Sequence, residues 1–212
     1  FDGRYLFLAP YCNGEHHGLV TRFDTCAEFA DPASWSVFDS GHVHADSKGF
    51  IGAVYDDRHV YFAPYQLNFG QHHGRVTRCD TRGEFADPSS WATFDLTALD
   101  DDCRGFHGGV FDGRYVYFCP YLVDPAQSLF ASKVVRYDPR KAFDEETAWT
   151  IYDLTAVNPT CKGFIGAVFD GRHIYFAPYN NGAGRYGQVL RYDAQQPFAA
   201  ARSWDVFDTC AL

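Results

Sequence analysis

The sequence predicts an all-β fold built from four repeats, each a short antiparallel sheet. Three observations predict it. A hairpin recurs: Gly49 to Tyr65 reads GFIGAVYDDRHVYFAPY, Gly105 to Tyr121 reads GFHGGVFDGRYVYFCPY and Gly163 to Tyr179 reads GFIGAVFDGRHIYFAPY, with a clipped copy, FDGRYLFLAPY, from Phe1 to Tyr11. The spacing is regular: Asp2, Asp56, Asp112 and Asp170 stand 54, 56 and 58 residues apart, and Trp35, Trp91, Trp149 and Trp204 stand 56, 58 and 55 apart. The composition, 20 Phe, 14 Tyr and 19 Gly in 212 residues, suits strands and tight turns better than helices.

Within a repeat the first strand is small and apolar, Phe50 to Tyr55, matched by Phe106 to Phe111 and Phe164 to Phe169. A two-residue Asp-Gly or Asp-Asp turn follows, expected as type I′ with positive φ at both central residues. The second strand alternates aromatics from Arg58 to Tyr65, with copies in the other repeats. The third is Gly74 to Asp80, matching Gly18 to Asp24, Lys133 to Asp138 and Gly187 to Asp193. A turn-rich link such as Thr81 to Pro88 leads to the fourth, Ser90 to Asp95, matching Ser34 to Asp39, Ala148 to Asp153 and Ser203 to Asp208.

Four-stranded units of this length are propeller blades. The Gly-Ala-Val-Phe-Asp-Gly hairpin, the Arg-Tyr-Asp end of the third strand (Arg136 to Asp138, Arg191 to Asp193) and the repeated Trp carry a resemblance to the β-propeller repeat families, with kelch and hemopexin-like folds nearest. The resemblance covers nearly the whole chain and concerns fold alone, so no functional residue is carried over from it. It implies a single β-propeller over residues 1–212, with four-stranded antiparallel blades at approximately 1–48, 49–104, 105–162 and 163–212. Glycine and alanine in the first strand place that strand innermost, at the crowded hub, and the Trp-bearing strand at the rim.

One strand is missing from the count. The first blade lacks its inner strand, because the chain opens at Phe1 in mid-hairpin and ends at Leu212, aligned with Leu99. A blade without that strand exposes aromatic faces and an unpaired edge. The expectation is a processed or partial chain from a larger propeller, or a strand supplied by another copy or a partner.

The formal net charge of -9 and the absence of a basic run exclude a nucleic-acid surface. No apolar run approaches the ~20 residues that span a bilayer, which predicts a soluble chain. Seven cysteines, an odd number without a C-x-x-C pair, lean towards free thiols in a reducing compartment.

The short turns recur on one face, whereas the loops expected on the other vary in length and composition, which is where binding usually lives. His16-His17-Gly18 and His72-His73-Gly74 are one motif in consecutive repeats, with His42 and His44 in the loop between them. Pro-Tyr pairs place Tyr11, Tyr65, Tyr121 and Tyr179 at the end of every second strand on this same face, either as a ligand-stacking ring or as a cap on the blade edge. No cofactor is predicted. The nearest approaches to a metal site are an extended His42-x-His44, compatible with zinc or copper, and Asp100-Asp101-Asp102 beside Cys103, compatible with calcium but lacking the spacing of a known loop. Third-strand pairs Arg22/Asp24, Arg78/Asp80, Arg136/Asp138 and Arg191/Asp193, with Arg4, Arg58, Arg114 and Arg172 after the turns, recur strictly and are expected to bind blade to blade.

Two functions fit. The first is a non-enzymatic binding or scaffolding propeller presenting repeated Tyr/His loop sites to a glycan or protein partner. The second is a propeller enzyme, a polysaccharide lyase or hydrolase, using Tyr and His at the channel mouth with or without a metal. No nucleophile elbow, phosphate loop or H-E-x-x-H motif is present. One active site predicts one loop cluster unlike the rest, and a binding array predicts near-equivalent pockets.

Overall fold

A computed structural model describes residues 1–212. The strands are β1 (Tyr5–Leu8), β2 (Leu19–Asp24), β3 (Trp35–Asp39), β4 (Phe50–Tyr55), β5 (His59–Pro64), β6 (Gln66–Asn68), β7 (Gln71–His72), β8 (Arg75–Asp80) and β9 (Trp91–Asp95). They continue with β10 (Phe106–Phe111), β11 (Val116–Pro120), β12 (Leu122–Asp124), β13 (Leu129–Phe130), β14 (Lys133–Tyr137), β15 (Trp149–Asp153), β16 (Phe164–Phe169), β17 (His173–Pro178), β18 (Gln188–Asp193) and β19 (Trp204–Asp208). The fold is all-β. Three antiparallel sheets have four strands each, in the orders β4-β5-β8-β9, β10-β11-β14-β15 and β16-β17-β18-β19, and the first has three, β1-β2-β3. The segments 66–72 and 122–130, expected as plain loops, fold back as two small hairpins, β6-β7 and β12-β13.

The first strands of the three complete sheets pack together: β10 lies between β4 and β16. A Cβ added to Gly52 would lie 2.9 Å from the Cα of Gly108, so two sheets meet there backbone to backbone. The same glycine serves a bulge, since the β4–β5 register shifts between Phe50 and Ala53, and Gly52 takes φ +83°.

The turn at the start of each second strand differs from the expected type I′. Only the residue after the Asp has positive φ: Gly3 (104°), Asp57 (74°), Gly113 (89°) and Gly171 (100°). The Asp stands one place earlier, at the turn corner, where its carboxylate accepts the backbone N–H groups two and three residues on. For Asp56 these come from Arg58 at 3.0 Å and His59 at 2.6 Å. Positive φ at the first central position alone is the type II′ pattern.

Successive sheets are joined by one repeated aromatic joint. Phe38 stacks on Trp91 (4.5 Å), Phe94 on Trp149 (4.8 Å) and Tyr152 on Trp204 (5.0 Å), each within 16° of parallel. Each of these Trp rings also donates its indole N–H to a backbone carbonyl six residues earlier, Phe85, Phe143 or Phe198. The ion pairs do not run from sheet to sheet as expected. Arg4–Asp24 (2.7 Å), Arg58–Asp80 (2.7 Å), Arg114–Asp138 and Arg172–Asp193 (2.9 Å) each close a turn onto the third strand of its own sheet. The third-strand arginines Arg22, Arg78 and Arg136 cross instead, lying 4.3, 4.2 and 4.3 Å over Phe85, Phe143 and Phe198 of the next sheet.

β1 has a free edge. Beside it an apolar groove of about 270 Å³ is lined by residues that include Phe1, Phe7, Leu8, Val54 and Val60. No helix is long and apolar enough to cross a membrane, and all seven cysteines are free thiols.

Candidate functional site

The four Pro-Tyr tyrosines form one continuous row. Ring centroids of Tyr11 and Tyr65 are 5.7 Å apart, Tyr65 and Tyr121 6.0 Å, and Tyr121 and Tyr179 5.9 Å, with the middle pair stacked. The row follows from a backbone crossing at the start of each hairpin. The N–H groups of Tyr65 and Gln66 both donate to Gly49 O, those of Tyr121 and Leu122 to Gly105 O, and those of Tyr179 and Asn180 to Gly163 O. A Cβ at any of these glycines would lie 1.7 Å from a carbonyl oxygen, so the chains cross only because the side chain is absent.

Each tyrosine carries a partner on the returning arm of its loop. The bridges Cys12–His16, Gln66–His72, Leu122–Phe130 and Asn180–Arg185 occupy equivalent positions. They set His16 on Tyr11 (5.1 Å), His72 on Tyr65 (4.6 Å), Phe130 on Tyr121 (5.8 Å) and the Arg185 guanidinium over Tyr179 (5.4 Å). The scaffold is constant and the residue on it varies: His, His, Phe, Arg. His107, on β10, adds a second ring at the edge of Tyr121 (5.7 Å).

The two histidines of His-His-Gly therefore do different work. His17 and His73 hold backbone: each Nδ1 accepts the N–H two residues on, from Leu19 or Arg75, and each carbonyl receives the next repeat's Gly49 or Gly105 N–H. His16 and His72 sit in the row. His42 and His44 join neither the row nor the clefts beside it. His42 ends a 3-10 turn, so the extended geometry expected of His42-x-His44 is not formed. Its ring lies 6.2 Å from Phe38, and His44 Nδ1 accepts the Asp46 N–H at 3.1 Å. No three His, Cys, Asp or Glu side chains gather as a metal-binding group. In the acidic run, Lys133 Nζ of the next repeat donates to Asp100 at 2.7 Å and Asp102 at 2.9 Å, placing an ammonium between the two carboxylates.

Hydrogen bonds link the first two repeats through the row. Tyr11 hydroxyl donates to Gln66 Oε1 (2.9 Å), and the Gln66 amide nitrogen lies 3.0 Å from His72 Nε2. The Gln66 amide has one oxygen, so with Oε1 engaged by Tyr11 its nitrogen donates to His72 Nε2. This leaves the His72 proton on Nδ1, a buried atom with no protein partner, as is Nε2 of His16. Burial also holds His72 neutral, with its pKa lowered to about 4. Burial raises the Tyr65 and Tyr121 hydroxyls above the ordinary phenol value, so both remain protonated donors.

Two clefts open beside the row, between the first and second loops and between the second and third. Each has a volume of about 340 Å³. The first is lined by Gly14, Glu15, His16, Lys48, Asn68 and Phe69. The second is lined by His72, Arg104, Asp101, Asp102, Asp124 and Gln127, among others. Lys48 and Arg104 are equivalent, each preceding the crossing glycine, and His16 and His72 are equivalent, so each cleft presents one imidazole, one fixed cation and at least one carboxylate. At the third junction Phe130 takes the place of the histidine, and the loop at Gly182 rests near Ser128 and Phe130. Sequence reasoning found the tyrosines and the histidines of the row but missed Gln66, Phe130, Arg185, Lys48 and Arg104. Alignment of the loops on the residue that opens the third strand (Gly18, Gly74, Ser132 and Gly187) is the signal that identifies Phe130 and Arg185.

No protein-family model matches the chain, and no curated protein matches it. Among solved structures, a chain of the nidogen/laminin complex is similar with a TM-score of 0.51 at 13% identity, covering 96% of this chain and 60% of that one. This chain thus spans about three fifths of that neighbour's length. A structure of PorZ, a bacterial surface component of the type-IX secretion system of Porphyromonas gingivalis, is matched over 96% of this chain and 29% of that one at 13% identity, but its TM-score of 0.36 carries no argument. At these identities the likeness is one of fold: the sheets are disposed as in a β-propeller-containing protein, and the kelch and hemopexin resemblance has no family match behind it.

Proposed function

We propose that this chain is a non-enzymatic binding or scaffolding module of the β-propeller type, taking up a glycan or protein partner on its loop face. The observation that carries the reading is the equivalence of the two clefts, each built on the same backbone crossing with a histidine and a cation at matching positions. An enzyme with one active site needs one cluster unlike the others, whereas repeated sites suit a multivalent ligand. Within the second cleft Arg104, Asp124 and Gln127 surround a wall formed by Val123 and Leu129, a mixture matched to a sugar's hydroxyls and apolar face. The reading needs no metal, and metal analysis of the purified protein is expected to find no stoichiometric zinc, copper or calcium.

A glycan array tests the first ligand class. Binding of the unmodified chain is expected to fall at least tenfold in Lys48→Ala and in Arg104→Ala, and further in the double variant. A signal that both variants leave intact overturns the loop-face site. A blank array removes the glycan and leaves a protein partner as the only form of the proposal.

A further inference from the structure

The two end faces of the array are the two halves of the joint that the chain makes internally three times. Each internal joint has a giving half, an aromatic on the fourth strand and an arginine on the third, and a receiving half, a Phe/Trp pair on the next sheet. The giving halves are Phe38 with Arg22, Phe94 with Arg78, and Tyr152 with Arg136. The receiving halves are Phe85/Trp91, Phe143/Trp149 and Phe198/Trp204, with ring centroids 5.5, 5.4 and 5.6 Å apart.

On the fourth sheet the equivalent giving residues are Phe207 and Arg191, and nothing covers them. Phe207 is 58% exposed beside a cavity of about 480 Å³ lined by Tyr175, Val189 and Val206, and Arg191 turns back to Asp205 at 2.6 Å. On the first sheet the equivalent receiving pair, Phe29 and Trp35, is already assembled. Its centroids are 5.3 Å apart, and the Trp35 indole donates to Phe29 O at 2.9 Å, as in the buried copies. Yet Phe29 is 68% exposed where Phe85, Phe143 and Phe198 are 3, 4 and 3% exposed.

We infer that these faces are an interface between copies of this chain: Phe207 and Arg191 of one copy seat on Trp35 and Phe29 of a second. The complementarity is between different faces, so association is head to tail, and each added copy presents a fresh face until a ring closes. This joint forms between separate chains, unlike the internal three, so it is concentration-dependent. The surface is separate from the loop face, and its test reads mass rather than ligand.

Sedimentation of the 212-residue chain over a dilution series is expected to show reversible association beyond the 23.9 kDa monomer. Phe29→Asp and Phe207→Asp alter residues that are exposed in the single chain, so each folds, checked by near-ultraviolet circular dichroism, and each is monomeric. Mixed, the two variants are expected to form a one-to-one dimer and stop there, because one intact giving face then meets one intact receiving face. A wild-type chain that stays monomeric at every concentration overturns the inference, as it would if another partner held these faces. So does a mixture that fails to pair, or a single variant that associates as the wild type does.

Discussion

Arg78 Nη1 donates to the hydroxyl of Tyr137 at 3.1 Å, binding the third strand of the second sheet to the third strand of the next. The same guanidinium lies 4.2 Å over Phe143, so one side chain holds the joint both by a charge-assisted hydrogen bond and by its face on a ring. Arg78→Ala is expected to destabilise by about 2 kcal/mol, measured as a lower urea midpoint at unchanged slope. Arg191→Ala removes the equivalent arginine at the uncovered end. It is expected to cost less than about 0.5 kcal/mol when measured in dilute solution, its exposed pair with Asp205 contributing little. Equal losses from both substitutions would mean that the joint does not depend on its arginine.

The crossing glycines separate a steric demand from a merely conformational one. Gly105 takes φ +66°, and a Cβ there would meet Leu122 O at 1.7 Å, inside the crossing that seats Tyr121. Gly171 takes φ +100° in an open turn with nothing within 4 Å of an added Cβ. Gly105→Ala is therefore expected to cost more than about 3 kcal/mol and to disturb the tyrosine row. Gly171→Ala should cost about 1–2 kcal/mol, the left-handed backbone alone. Urea unfolding of both, with near-ultraviolet circular dichroism as a reporter on the tyrosines, distinguishes them.

Acid sensitivity should begin in the imidazole range. Burial lowers both His72 and His73 from the ordinary value of 6.5 to about 4. As pH falls through that window the unfolded chain binds protons that the folded chain refuses. Stability is thus full above about 6.5 and is lost down to about 4, on the order of 2–3 kcal/mol per imidazole. Asp56 extends the loss. Burial alone would raise its pKa, but hydrogen bonds from His59, Tyr61 and the Arg58 backbone outweigh it and bring it to about 2, so its contribution disappears between about 4 and 2. The double variant His72→Gln, His73→Asn keeps the acceptors at Nε2 and Nδ1 and removes the titration. Its unfolding free energy should fall less steeply between pH 6.5 and 4 than the wild type's, with His107, whose pKa burial also lowers, supplying part of the remainder; a slope as steep as the wild type's would contradict the assignment.

The packed first strands, the sheet order and the tyrosine row were legible because each is written as repetition or alternation. Glycine and alanine in Phe50 to Tyr55 mark a strand that must crowd its neighbours, and the Pro-Tyr pairs mark one end of every second strand. What repetition marks is the scaffold, and that is why the cleft residues were harder to see. His16, His72, Phe130 and Arg185 share a position but not a residue type, and they sit in loops of different lengths. Lys48 and Arg104 likewise share a position, before Gly49 and Gly105, without sharing a residue type. The turn type was misread because an Asp-Gly pair signals a tight turn without saying which residue stands at its corner. The Asp carboxylate decides that by capping two backbone N–H groups. The arginines were expected to pair with carboxylates across blades, but each third-strand Asp is already engaged by the turn arginine of its own sheet, which leaves the aromatic faces to Arg22, Arg78 and Arg136.

The seven thiols should divide by burial, and the division reports on the cohesion of the sheets. Cys79, Cys103 and Cys119 are buried and their pKa values are pushed up by that burial to about 12, and Cys161 likewise to about 11. A thiolate is the reacting species, so these four are both shielded and almost wholly protonated near neutral pH. Cys119 is further engaged, its sulfur accepting the Gly166 N–H of β16 at 3.2 Å. Cys26 and Cys210 are exposed and Cys12 is half-buried. With an aromatic disulfide reagent at pH 8, Cys26 and Cys210 are expected to react at once and Cys12 more slowly, the other four waiting for denaturant. Because Cys79, Cys103, Cys119 and Cys161 are distributed over the second and third repeats and the junction with the fourth, their release should follow one unfolding transition when the sheets melt together. Release of Cys161 and Cys119 ahead of Cys79 would show the fourth sheet detaching first, and fast reaction of any of the four in the native chain would contradict their burial.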